Sequence, residues 1–222
     1  MKKAILIVVV LFFANNLLAQ TKTSVMLNTG LSIPASGEYF SEYWSSSYNF
    51  GAGFEFYLNS RLSLLGYIDY NNFSFDMQKA KDKLKTTNQG EGGAAKILNL
   101  SANIKYHLND LSQKISPYIL AGFGFSIVST ADLIERTSNG SYRSTISSES
   151  ANALSINFGF GVEFEVSPMI SIFADARYII SFTDDSIINF TVSDNYNQDI
   201  EPYTLNENIG YLPLRVGVSY SF

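Results

Sequence analysis

Apolar and polar residues alternate along the closing stretch of this chain, GYLPLRVGVSYSF. Leu212, Leu214, Val216, Val218, Tyr220 and Phe222 share one parity, and Pro213, Arg215, Gly217, Ser219 and Ser221 share the other. A period of two places the two sets on opposite faces of a β-strand. The same alternation recurs over residues 24–33, 48–58, 62–71, 97–108, 118–127, 154–166 and 170–179. One ten-residue alternation is a weak signal, but eight in one chain is a strong one. Pro213 breaks the pattern, because it cannot donate to a ladder. It is expected at a bulge, at the start of strand pairing, or just before a strand that begins one or two residues later.

The connections alternate as well. Asn59-Ser60-Arg61, Asn109 to Pro117, and Ser167-Pro168-Met169 are short links, whereas 34–47, 72–96, 128–153 and 180–209 are long. Short turns on one rim and long loops on the other are the asymmetry of a transmembrane barrel. The pattern predicts an all-β, eight-stranded, antiparallel up-and-down transmembrane β-barrel.

Volume decides which face looks outward. An eight-stranded barrel encloses room only for modest filling or one small ligand. The apolar parity, rich in Phe, Tyr, Leu and Ile, is too bulky for that space. The other parity fits, with Gly51, Gly53, Gly122, Gly124, Gly159, Gly161 and Gly217 among serines and asparagines. It also carries Glu55, Asp69, Lys105, Glu163, Glu165, Asp175, Arg177 and Arg215. An Arg at mid-depth on the lipid face would cost roughly 2–4 kcal/mol. Tyr48, Phe50, Tyr70 and Tyr178 near the long loops, and Phe56, Tyr106, Phe164, Tyr220 and Phe222 near the short turns, form two interfacial belts.

Residues 1–19 differ in kind. Lys2 and Lys3 precede a ten-residue apolar run, Ala4 to Phe13, and Leu17-Leu18-Ala19 precedes Gln20. This is the order of a secretory signal peptide. The expected organisation is therefore a signal peptide over 1–19 and a barrel over 20–222. The chain holds no cysteine, so neither a lipid-modified N-terminus nor a disulfide framework is expected. Removing Lys2 and Lys3 leaves 13 basic against 20 acidic residues, a net charge of −7, which argues against nucleic acid as a partner.

The signal segment, the eight strands, the paired glycines and the terminal LRVGVSYSF resemble the small outer-membrane β-barrel family, the OmpA/OmpX-like barrel domain in its Bacteroidota form. The resemblance covers essentially all of the mature chain. It implies outer-membrane lipid and lipopolysaccharide as surroundings and the barrel-assembly machinery as a partner. The assembly signal it implies is Val218, Tyr220 and Phe222. It implies no activity, and no peptidoglycan-binding module is expected after the last strand.

Candidate chemistry is sparse. His107 is the only histidine, placed near a short turn, and is expected to be a solvated rim residue rather than a general base. Glu55, Asp69, Lys105, Glu163, Asp175, Arg177 and Arg215 form a lumen charge network, expected at broadly similar heights. It could line a narrow pore, or fill the lumen as a salt-bridged plug, and the small bore favours the plug. Lys79, Lys81, Lys83 and Lys85 line one face if the flanking strands extend, and could then meet lipopolysaccharide phosphates; the plainer reading is a solvated loop. Asp184, Asp185, Asp194, Asp199 and Glu201 lack an EF-hand spacing and read as an acidic loop. The Ser/Thr-rich stretch Ser129 to Ser150 reads as a mobile tip. No catalytic residue, cofactor or metal is expected. The role expected is a monomeric, non-enzymatic scaffold that displays four long loops for adhesion, surface protection or partner binding. The alternatives are a narrow conduit for a small or apolar solute and, less favoured, a lipid-modifying enzyme.

Overall fold

The computed structural model describes residues 22–84, 89–110, 113–136, 143–148, 150–183, 188–194, 200–205 and 207–222. The expected signal peptide lies outside these residues, as do Lys85, Asp184, Asp185 and Asp199.

In chain order the elements are β1 (Thr23–Ser36), α1 (Glu38–Tyr43), β2 (Trp44–Ser45), β3 (Ser47–Tyr57), β4 (Leu62–Phe75), α2 (Met77–Leu84), β5 (Gln89–Gly92), β6 (Ala95–His107), β7 (Ile115–Thr130), β8 (Leu133–Arg136), β9 (Arg143–Ser148), β10 (Ala151–Ser167), β11 (Ile170–Phe182), β12 (Ile188–Asp194), β13 (Ile200–Leu205) and β14 (Ile209–Ser221). Eight of them, β1, β3, β4, β6, β7, β10, β11 and β14, pair antiparallel with their neighbours in that order. β14 then pairs with β1 and closes the cylinder. The seam is tied at its foot, where Thr23 and Phe222 exchange backbone hydrogen bonds and the Ser24 and Ser221 hydroxyls meet at 2.8 Å.

The parity of the sequence sets the faces. Leu27, Phe123, Leu154 and Phe160 on the outside are 63%, 72%, 70% and 67% exposed, while Lys105 and Glu55 inside are fully buried. Such an outer surface is stable only against lipid.

Pro213 is neither at a bulge nor at a strand start. Its pairing with β1 runs through Ser32, and the bulge in that ladder falls at Pro34/Ser36. On the β11 side the ladder stops at Ala176↔Leu214 and resumes, unshifted, at Ile179↔Tyr211. Proline has no N–H to give, so rungs are lost on one side and the strand continues.

The glycines of the inner face are matched to large neighbours. Gly53 lies directly across from Tyr67, Gly161 from Tyr118, Gly159 from Arg177 and Gly217 from Phe173. A Cβ at Gly53 would sit 2.3 Å from the Tyr67 ring, and one at Gly161 2.5 Å from the Tyr118 ring. Each bulky side chain lies over a site that has none, which is how a narrow lumen is filled to solid density.

The long connections are structured. α1 and β2 lie in the first, and α2 fills part of the second. β5, β8, β9, β12 and β13 form a separate antiparallel sheet in the order β13-β12-β9-β8-β5. It continues the wall. β5 and β8 extend the β6–β7 pair beyond a bend at Gly92 and Gly93, whose φ angles are +94° and +71°. A Cβ at Gly92 would also lie 2.1 Å from the Asp132 carbonyl oxygen, so this bend is reserved for glycine. The stretch read as a mobile tip thus contributes strands β8 and β9.

Candidate functional site

The site is the lumen itself, closed by side chains at four levels. The first lies nearest the short turns. Lys105 Nζ is 3.0 Å from Glu55 Oε2 and 2.9 Å from Glu163 Oε2, and its ammonium sits 4.3 Å from the centre of the Tyr118 ring. Ser63 donates to Glu55 Oε1 at 2.5 Å. His107 completes the level, with Nδ1 2.9 Å from Ser116 Oγ and Nε2 3.5 Å from Glu55 Oε1.

The second level is built on arginine. Arg215 donates through Nε and Nη2 to the two oxygens of Asp175, both at 2.8 Å, and through Nη1 to Asp69 at 2.8 Å. Arg177 reaches Asp175 at 3.3 Å. Both guanidinium groups also approach the Tyr67 ring, that of Arg177 at 4.6 Å and that of Arg215 at 4.7 Å from its centre. Its hydroxyl donates to Asn28 at 2.5 Å. Tyr118 bridges the two levels by donating to Asp175 at 3.1 Å. Bidentate arginine–carboxylate geometry suits such a dry setting, because both charges keep their hydrogen bonds when water is removed.

The seven charges of the expected network are each brought into contact with a partner, but not at one height. Glu55, Lys105 and Glu163 hold the lower level; Asp69, Asp175, Arg177 and Arg215 hold the upper. His107 is a correction. It is 0% exposed rather than solvated, because β6 turns it inward among Tyr57, Tyr118 and Ser116. Ser116, His107 and Glu55 have the residue types of a hydrolytic triad. Ser116 is only 4% exposed, so its hydroxyl has no open face for a substrate, and the contacts serve as lumen filling.

The third level is neutral. On one wall Ser32 donates to Asn71 Oδ1 at 2.6 Å and accepts from Asn49 at 2.9 Å. On another, Asn99 donates to Ser126 at 2.8 Å and to Ser155 at 2.7 Å, and Ser181 joins Ser126 at 2.9 Å.

The fourth level was not visible in the strand parity. Toward the long loops the inner face turns apolar, with Phe73, Ile97, Val128, Ile179 and Tyr211 all buried. Phe40 of α1 and Trp44 of β2 drop into this ring. Phe40 meets Phe73 edge-on at 4.9 Å, and Phe73 meets Tyr211 at 5.6 Å. Trp44 donates its indole N–H to the Gly93 carbonyl at 2.8 Å. α1 begins at Gly37, which offers no side-chain cap; Glu207 supplies it from the fourth loop, accepting from the Tyr39 and Phe40 amides at 2.9 and 2.8 Å. The only advance sign of this cap was the aromatic run of the first loop, Tyr39, Phe40, Tyr43 and Trp44.

Outside the cap, Lys79 and Lys81 do not line one face. Residues 77–84 are helical, so a two-residue spacing turns these two lysines to different sides. Asp76 caps this helix by accepting from the Lys79 amide at 3.1 Å. That bond, aided by the Ser45 hydroxyl, holds the Asp76 carboxyl below the usual carboxylate range. At the opposite rim Arg61 Nε donates to Asp110 at 2.9 Å, tying two short turns together and lowering the Asp110 pKa. Among the described residues no three His, Cys, Asp or Glu side chains converge as a metal site.

The family described as outer membrane protein beta-barrel domain matches residues 4–222. Among solved structures, a major outer membrane protein from Thermus thermophilus matches with 13% identity and a TM-score of 0.58, covering 91% of this chain and 99% of that one. Neisserial surface protein A matches with 16% identity, a TM-score of 0.48 and coverage of 90% and 97%. The attachment invasion locus protein Ail of Yersinia pestis matches with 15% identity, a TM-score of 0.46 and coverage of 91% and 99%. No curated protein matches the sequence.

Proposed function

The chain belongs to the outer membrane protein β-barrel family, and on that premise we propose that it is a non-conducting, non-enzymatic scaffold that displays an ordered outer sheet for adhesion or partner binding. One observation carries the reading: the lumen is filled at every level while five strands from three long loops are built into a second sheet. A pore would spend its inner face on water, and an enzyme would leave its reactive groups open. Here the inner face is used for packing and the investment in regular structure lies outside the wall.

The remaining parts of the proposal extend the family reading. Residues 1–19 serve as the export signal. Val218, Tyr220 and Phe222 serve as the address read by the barrel-assembly machinery, and all three point outward and are at least 48% exposed. The barrel works as a monomer among outer-membrane lipid and lipopolysaccharide. Lys79 and Lys81 of α2 are proposed to meet lipopolysaccharide phosphates at the outer surface.

Planar-bilayer recording tests the central claim. The purified barrel should give no stable stepwise current. Stepwise currents whose size changes on Glu163→Gln or Arg215→Met substitution would sink the plugged-scaffold reading in favour of a conduit.

A further inference from the structure

The first long connection carries more aromatic surface than the cap consumes. On α1, Phe40 and Trp44 go down into the mouth of the barrel, while Tyr39 and Tyr43, also four residues apart, take a neighbouring face of the helix. The two tyrosine rings are 6.3 Å apart and 19° from parallel. Next in line is the ring of Phe75, at the end of β4, 6.4 Å from that of Tyr43 and 26° from parallel. Near-parallel rings at this separation are slipped past one another rather than laid face on face, so each leaves part of its face uncovered by the next. Tyr43 and Phe75 rest against the cap and are half-buried, and Tyr39 is 39% exposed. Together they make a stepped aromatic row at the long-loop end of the molecule.

Polar groups border the row. The Asp76 amide donates to the Tyr43 carbonyl at 2.7 Å, and the Asp76 carboxylate accepts from the Ser45 hydroxyl at 2.9 Å. Glu38 and Glu42 share α1 with the tyrosines. Three carboxylates thus stand against one nearby ammonium, that of Lys79, which is 3.8 Å from Asp76. These surroundings choose among the guests that use aromatic rings. A cation is held by rings boxed around one point, not stepped in a line. A polyanion meets the carboxylates and is repelled. A proline-rich segment has few N–H groups to give them. A neutral sugar chain matches both parts: its flat C–H faces suit the negative faces of the rings, and its hydroxyls donate to carboxylates.

We propose that Tyr39, Tyr43 and Phe75 form a docking strip for an uncharged oligosaccharide chain carried by another surface, its sugar rings lying on the aromatic rings and its hydroxyls reaching Asp76 and the α1 carboxylates. The phosphorylated core of lipopolysaccharide is the wrong guest, since its charges repeat those of the carboxylates. This names a partner for the adhesion reading and rests on it, at a place apart from the outer sheet. The two fail separately: stepwise conduction would remove the plugged scaffold and leave the strip, whereas absence of sugar binding would remove the strip and leave the plug.

The test uses the full barrel in lauryldimethylamine oxide, a detergent without a sugar headgroup, titrated by calorimetry with malto-, cello-, manno- and laminarihexaose. Trp44, the sole tryptophan, meets the Phe75 ring edge-on at 5.3 Å and gives a second readout by fluorescence. At least one of these neutral hexaoses should bind with a Kd of about 1 mM or tighter and shift that emission. Tyr39→Ala should weaken the binding at least about tenfold, while Tyr39→Phe, which keeps the ring, retains it. Heat-modifiable gel migration and the unliganded Trp44 emission should stay unchanged in both variants, which separates a lost contact from a damaged cap. If Tyr39→Ala disturbs either, Tyr39→Leu, which keeps bulk without a ring, carries the same comparison. Binding by none of the hexaoses, binding untouched by loss of the Tyr39 ring, or tighter binding of deacylated lipopolysaccharide core or of decaproline than of the best hexaose would overturn the proposal.

Discussion

The two ends of the lumen are shut by opposite chemistry. The short-turn end is closed by ion pairs whose members all sit on barrel strands, so the closure exists as soon as the wall has its register. The long-loop end is closed by aromatic side chains, two of which arrive on a loop that must fold in afterwards. A charged plug tolerates no partial state, because each buried charge stripped of its partner is costly. An aromatic cap can loosen locally while the wall stands. Permanence is thus placed on the strands, and any opening is left to the loop.

That contrast can be broken most forcefully at Lys105. Lys105→Ala leaves Glu55 and Glu163 buried without their cation, and should lower unfolding stability in detergent or lipid by about 3–5 kcal/mol. The triple variant Lys105→Met/Glu55→Gln/Glu163→Gln should recover most of that loss, because removing every charge also removes the desolvation penalty. A triple variant as unstable as the single one would show that the ion pairs were not the issue.

Gly53→Val probes the middle of the wall. The new side chain collides with the Tyr67 ring, against which both arginines rest, and a loss of roughly 1–3 kcal/mol is expected in equilibrium unfolding. Adding Tyr67→Ala should return part of it.

The cap should behave otherwise. Trp44→Ala is expected to speed amide exchange across residues 38–45 while moving the global unfolding free energy by less than about 1 kcal/mol. A global loss as large as that of Lys105→Ala would erase the distinction between the two ends.

The smallest effect belongs to the Arg61–Asp110 pair on the rim. Its hydrogen bond depresses the folded-state pKa of Asp110, so what it contributes is present at neutral pH and lost as pH falls through that lowered value. Both side chains are about half exposed, and surface pairs of this kind contribute little. Arg61→Ala should return the Asp110 titration, followed by NMR, to the ordinary carboxylate range without a measurable change in unfolding.

Strand parity made most of this barrel legible. It separated the outer from the inner face and picked out each of the seven lumen charges, because a period of two is enforced wherever one side meets lipid. Their division into two levels was not legible, since height depends on register, and register is a property of pairs rather than of single strands. The aromatic cap was hidden for a different reason. Phe73, Ile97 and Ile179 sit on the inner parity, but strand alternation says only which side a residue takes and gives no sign of aromatic side chains dropped onto that side from a loop. His107 looked like a rim residue because it lies at the end of its strand. It shares the inner parity of Lys105, and the neighbouring rings of Tyr57 and Tyr118 help bury it. Gly92 and Gly93 marked the bend into the outer sheet, but two adjacent glycines in a long connection are equally at home in an irregular loop.

The way that sheet joins the wall has a mechanical consequence. β5 and β8 carry on the pairing of β6 and β7 past the bend, so a load on the outer sheet reaches the barrel along the strand direction. Ladder hydrogen bonds lie across that direction. They would be sheared together rather than peeled one after another, the geometry in which many weak bonds resist as one. A surface protein tugged by whatever it holds would be anchored through the strongest axis of its own wall.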